Sequence, residues 1–204
     1  MHILQIRYQR YKWLLSMDDK TRKIVEKAQT KDTLKQMFER TLGERIERHL
    51  EVKPHGIIPN SHFATVSAEC YSLYQDGHYY GTISLSQAVA EALVKFLIDR
   101  NNLKKGKDYK TNVQRLKKDG VIDSTLEIAF NDIWKERNNF HHLNPQIEQD
   151  RQKLASLAKE KLTDLRDIEK ELFAYTTNNG KLVPKYRKYW DQTGNTISVF
   201  LRLD

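Results

Sequence analysis

Apolar residues recur along this chain three to four positions apart, which is the spacing of one helix face. The clearest run is Leu34, Phe38, Leu42, Ile46 and Leu50, with polar residues between, and it predicts a helix over 32–50. Short helices are expected over 3–15, where Trp13, Leu14 and Leu15 would pack, and over 20–29. Pro54, Gly56 and Pro59 break the pattern and predict a loop over 51–60. From Ser61 to about Gln75 a helix is expected with Phe63, Val66, Cys70, Tyr71 and Tyr74 on one side, ended by the turn signal Asp76-Gly77. The most apolar helix runs from about Ser84 to Asn101. Leu85, Ala88, Val89, Ala92, Leu93, Phe96 and Leu97 cover most of its circumference, which places it centrally.

Its narrow polar strip is Ser84, Gln87, Glu91 and Lys95. Glu91 is either a solvent-facing rim residue or a buried carboxylate that holds an arginine. A basic loop over 101–108 leads to a short helix over 109–118, ended by Asp119-Gly120; Asp123 or Ser124 caps the next. That helix carries Leu126, Phe130, Ile133 and Trp134 on its apolar stripe, and Arg137 continues the same stripe. An arginine there is costly unless paired. Asn144 and Pro145 read as the cap and first turn of a long helix to about Tyr175, striped by Leu154, Ala158, Leu162, Leu165, Ile168 and Leu172. Asn178-Asn179-Gly180 ends it. In the tail, 185–190 and 196–203 are expected to pair as a β-hairpin.

Composition agrees with a mainly α protein: hydrophobic residues are 39% and charged residues 30% of 204, with few glycines and prolines. No apolar run approaches the ~20 residues needed to span a bilayer, and residues 1–7 lack a signal-peptide core, so no membrane partner and a cytoplasmic location are expected. The single cysteine, Cys70, excludes an intrachain disulfide and a Cys-rich zinc site. The net charge of +8 is uneven. Residues 1–50 hold twelve Lys/Arg against seven Asp/Glu, residues 181–204 hold five against two, and the span between is neutral. Basic flanks suit a polyanion such as nucleic acid as well as they suit a solvated surface.

The stretch Trp134 to Pro145 concentrates the chemistry. Arg137 offers a fork of donors that stays charged at any relevant pH, and a histidine titrates near neutrality, so the two together suit phosphoryl chemistry. On a continuous helix His141, four residues after Arg137, shares its face; His142 turns towards it only if the helix has ended. Arg137-Asn138-Asn139-Phe140-His141-His142 resembles the signature of the HEPN superfamily of helical ribonucleases and nucleotide-binding domains: an arginine, a polar residue, and a histidine after four to six intervening positions. The resemblance covers about 61–176. It implies that His142 is the catalytic histidine, Arg137 the phosphate-stabilising residue and Asn138 an orienting partner, on an all-α bundle that often dimerises so that two motifs share a cleft. Many members are metal-independent RNases of toxin–antitoxin, abortive-infection or CRISPR-linked systems, which points to a toxin or an antiviral defence effector.

The fold expected is mainly α, with an N-terminal helical extension over 1–60, a HEPN-like bundle over 61–176 and a tail with a short β-hairpin over 177–204. The function expected is that of a metal-independent endoribonuclease, with no cofactor, acting as a homodimer on RNA, with an antitoxin or defence-system partner; the alternative is a HEPN-like module that binds nucleic acid, nucleotide or a partner protein without cleaving. Arg137, Asn138 and His142 would be catalytic, supported by Glu91 and His141. Lys185, Tyr186, Arg187, Lys188 and Trp190 interleave bases with aromatics, as an RNA-stacking strand or an edge strand packed on the bundle would. A metal site on Glu136, His141 and His142 is disfavoured, since adjacent histidines rarely aim at one ion.

Overall fold

A computed structural model of the protein describes residues 17–145, 147–194 and 196–202. The fold is mainly α with short strands. The helix expected over 3–15 lies outside the described residues. The chain divides into two compact units, Met1–Ile46 and Glu47–Asp204.

The helices expected over 20–29 and 32–50 are one continuous helix, α1, Asp19–Glu51. No glycine or proline lies between the two spans. The Asp18 carboxylate caps the start by accepting the amides of Lys20 and Thr21 at 3.0 and 2.9 Å. None of its residues is buried, and Leu34, Phe38, Leu42, Ile46 and Leu50 are all exposed.

In the second unit, α2 (Ala64–Gln75), α3 (Tyr79–Arg100), α4 (Tyr109–Lys118), α5 (Ser124–Trp134), α6 (Arg137–His141) and α7 (Arg151–Leu172) form a bundle around α3. α3 packs on α2, α4, α5, α6 and α7, and twelve of its residues are buried, as its apolar circumference predicts. It is long and apolar enough to cross a bilayer, yet most of that apolar stretch is buried inside the bundle. Helix ends recur in one form. Gly77, Asn102 and Gly120 take positive φ, and the next residue's amide reaches back five positions, from His78 to Leu73 (2.8 Å), Leu103 to Ile98 (3.0 Å) and Val121 to Leu116 (2.9 Å). A left-handed residue at this position satisfies the last carbonyls of a helix.

Two expectations about the last long helix fail. The last long helix starts at Arg151, not Pro145, because the Asp150 carboxylate accepts the amides of Gln152 and Lys153 at 2.9 and 3.0 Å. Asn178-Asn179-Gly180 does not end that helix, which stops at Leu172. Instead Asn179 and Gly180, with φ of 50° and 72°, turn a two-residue hairpin between β2 (Tyr175–Asn178) and β3 (Lys181–Pro184).

Residues 185–190 form no strand; Arg187–Tyr189 is a 3₁₀ turn that buries Tyr189 and Trp190. β4 (Gln192–Thr193) pairs with β5 (Thr196–Ile197), and the last strand, β6 (Val199–Leu201), pairs antiparallel with β1 (Ile57–Pro59) inside the span read as a loop. Pro59 sits at the end of that ladder, opposite Val199, where its missing donor costs least. After β6, Arg202 enters the bundle and grips Glu169 with two bonds of 2.6 and 2.8 Å, while Ser67 donates to the same carboxylate at 2.6 Å.

Candidate active site around Arg137

The site is built on a helix break. α5 ends at Trp134, Lys135 is extended and Glu136 is left-handed at φ 60°, before a single turn, α6, starts at Arg137. The carbonyls freed by the break are held from inside the bundle. Lys161, only 2% exposed, donates its Nζ to the carbonyls of Asp132, Ile133 and Lys135 at 3.1, 3.0 and 3.0 Å. The buried Gln87 amide donates to Ile133 and Lys135 at 3.1 Å each. A helix C-terminus carries negative partial charge, so a buried ammonium there is compensated by three acceptors and the dipole. Sequence reasoning gives neither residue a role at the site. A signal exists, because Lys161 falls on the stripe of Leu154, Ala158 and Leu165, where a lysine is out of place.

Arg137 leaves this break with its guanidinium over the Trp134 ring, 4.9 Å from the centroid. Trp134 in turn stacks on Tyr109 with centroids 3.9 Å apart, and the Tyr109 hydroxyl is fixed to the Phe130 carbonyl at 2.9 Å. Glu91 does not hold Arg137; it pairs with Lys95 at 2.7 Å on the same face of α3. Among the described residues Arg137 has no carboxylate partner, and its Nε is buried without an acceptor. The arginine is therefore positioned by an aromatic face, with its donors uncommitted.

It opens on a cleft of about 570 Å³. Trp134, Lys135, Glu136, Arg137 and Asn138 form one wall, Glu127 and Asn131 continue it along α5, and Lys110 and Gln114 of α4 face them. Asn138 is exposed there. Lys135 is paired with Asp132 at 2.6 Å, which leaves Arg137 and Lys110 as the cleft's cations without a salt bridge among the described residues.

Both histidines are exposed. His141 ends α6 on the face of Arg137, where helical spacing puts it. Partial burial holds its imidazole below the ordinary range, and Arg137 and His142 add to that, against Glu91 and the Ser84 carbonyl. His142 is the C-cap of α6, its amide bonded to the Asn138 carbonyl at 3.2 Å; its ring has no partner among the described residues. α6 therefore ends at His142, and neither histidine lines the cleft of Arg137. Leu143 then takes φ 46° and Asn144 reaches back to the Asn139 carbonyl at 3.0 Å, the same ending as Gly77, Asn102 and Gly120, here forced on a leucine. Phe140 is buried against Tyr80 and anchors the turn. α7 begins only at Arg151, so its N-terminus does not start beside the site at Pro145.

The basic-aromatic segment lies apart from the cleft lining. Lys185 pairs with Glu171 at 2.6 Å, Tyr186 packs against Tyr189, Arg187 reaches Gln192 at 3.5 Å, and Lys188 bonds Asn101 at 2.5 Å. Trp190 is buried against Phe173 and Tyr175 and offers no face to a base. Among the described residues no group of three or more His, Cys, Asp or Glu side chains is placed to hold a metal ion. Comparisons with protein-family models, curated proteins and solved structures match nothing to this chain, so the functional reading rests on its own geometry.

Proposed function

We propose that this protein is a HEPN-type endoribonuclease in which Arg137 and His142 act on the scissile phosphate. The observation that carries the reading is Arg137 itself: a half-buried guanidinium, held by Trp134 and without a carboxylate partner among the described residues, at the wall of an open cleft. Such a group is set to receive an anion with planar oxygens. The ribose 2′-hydroxyl would attack the adjacent phosphorus as its proton passes to a base. The bond from phosphorus to the 5′-oxygen breaks and that oxygen takes a proton, leaving a 2′,3′-cyclic phosphate and a 5′-hydroxyl. His142 is given the proton transfers by its place in the Arg-polar-x3-His pattern, and its exposed ring is open to solvent for that part. Arg137 neutralises the charge that grows on phosphorus oxygens, and Asn138 orients the backbone beside it. A second copy would supply the other proton-transfer histidine, which makes a homodimer the working form. No metal enters this scheme. Incubation of the purified chain with mixed single-stranded RNA, wild type against His142→Ala, tests it.

A second reading has one observation in its favour: neither histidine lines the cleft of Arg137. On that reading the cleft binds a phosphate without cleaving, and Arg137→Ala lowers RNA or nucleotide affinity while no variant changes turnover.

A further inference from the structure

We propose that α4 and the loop before it, residues 104–118, form the track that carries the backbone phosphates of single-stranded RNA into the Arg137 cleft. The proposal rests on the reading of that cleft as an RNA site and names the surface that presents the substrate to it. Averaged over the middle of the chain the charge is zero, but locally it is not: residues 104–118 hold seven Lys/Arg and a single acid, Asp108. That acid is spent on the helix, accepting the Thr111 amide at 2.8 Å as the N-cap of α4.

The helix cannot rotate to hide its bases. Tyr109, Val113 and Leu116 are buried in the bundle, which fixes the opposite side outward. Lys110, Gln114 and Lys118 follow one another at intervals of four, a ridge along the exposed side. Its first two members line the same cleft as Arg137 and Asn138. Lys107, Lys110 and Lys118 are exposed and form no salt bridge among the described residues, although the charges of Lys107 and Lys110 reach the Asp108 carboxylate; Lys105, by contrast, pairs with Asp99 at 3.2 Å. The ridge therefore opens on the cleft that Arg137 lines. Backbone phosphates supply most of the affinity for a single strand, and Lys and Gln side chains are donors suited to them. The segment 185–190, the other basic candidate, has its lysines bonded to Glu171 and Asn101 and its Trp190 buried.

The test measures binding of a fluorescein-labelled, mixed-sequence single-stranded RNA by anisotropy across a salt series. It is run in a His142→Ala background so that the probe stays intact, with RNA cleavage by the unmodified protein measured alongside. Replacing Lys107, Lys110 and Lys118 by Gln should weaken binding about tenfold or more and reduce the slope of log K against log salt by ~0.7 for each phosphate no longer neutralised. Lys185→Gln with Lys188→Gln should change neither, and equal helicity and melting temperature show that the variants are folded. Cleavage by the unmodified protein together with an unchanged affinity and slope in the triple variant overturns the track and leaves the active-site reading standing. Neither binding nor cleavage by the unmodified protein overturns both.

Discussion

At the scale of single residues, the site combines side chains that lack their ordinary partners among the described residues with backbone held in an uncommon conformation. Leu143 shows the second most simply. It is 73% exposed and sits at φ 46°, where a Cβ meets the following carbonyl. Leu143→Gly should raise stability by about 0.5–1 kcal/mol, read as a higher midpoint in urea, since the exposed side chain packs on little. Asp164, one turn after Lys161, behaves differently. Burial pushes its carboxyl up to about 6, helped by Asp132 and Asp167 and opposed by Lys161. A carboxyl with a folded value above its unfolded one favours folding when protonated; that contribution is full below about 4 and is lost as pH rises through about 6. Asp164→Asn should therefore stabilise the fold near pH 7, by on the order of 1 kcal/mol once the exposed part of the group is discounted, and should flatten the stability profile between the two values. Thermal melts at pH 4 and pH 7 measure both effects. An undiminished wild-type pH dependence in the variant contradicts the assignment.

At the scale of elements, the break between α5 and α6 is what aims Arg137, and it depends on Lys161. Lys161→Met keeps the length of the side chain but leaves three carbonyls short of a donor, which should cost about 1–3 kcal/mol. Because Trp134 and Arg137 flank the break, the same change should weaken RNA affinity, and loss of stability with unchanged affinity would show that the cap serves the fold alone. This is also where sequence reasoning stops short. The stripes of α3, α5 and α7 are legible because burial follows a 3.6-residue period, and so is Arg137 as an out-of-place cation. Glu91 is a natural candidate for its partner, but Lys95 lies one turn away and takes it locally. The start of α7 is ambiguous in the sequence because Asn144-Pro145 and Asp150 both offer a helix start, and the side-chain cap at Asp150 prevails. Asn179-Gly180 suits a helix end, yet Asn-Gly between β-formers is a strong hairpin signal, and the hairpin wins. The pairing of β1 with β6 joins strands some 140 positions apart, which no local pattern encodes.

At the scale of the whole chain, the second unit is closed by its own C-terminal segment. Arg202 and Glu169 are 3% and 0% exposed and bond each other in two places. Removing one partner leaves a buried charge, so Arg202→Ala should cost about 3–5 kcal/mol and free β6 from β1, seen as faster hydrogen exchange over both strands. The bundle that results holds the Arg137 cleft, and on the proposed reading the excess positive charge of the flanks and of residues 104–118 would attract RNA. The most direct measurement is incubation of mixed single-stranded RNA with wild-type, His141→Ala and His142→Ala protein in the presence of a chelator. Wild type and His141→Ala should cleave, leaving 2′,3′-cyclic phosphate ends, and His142→Ala should be slower by ~10²–10⁴-fold. Equal cleavage by wild type and His142→Ala, or no cleavage by wild type, would contradict the assignment of this site as a ribonuclease centre.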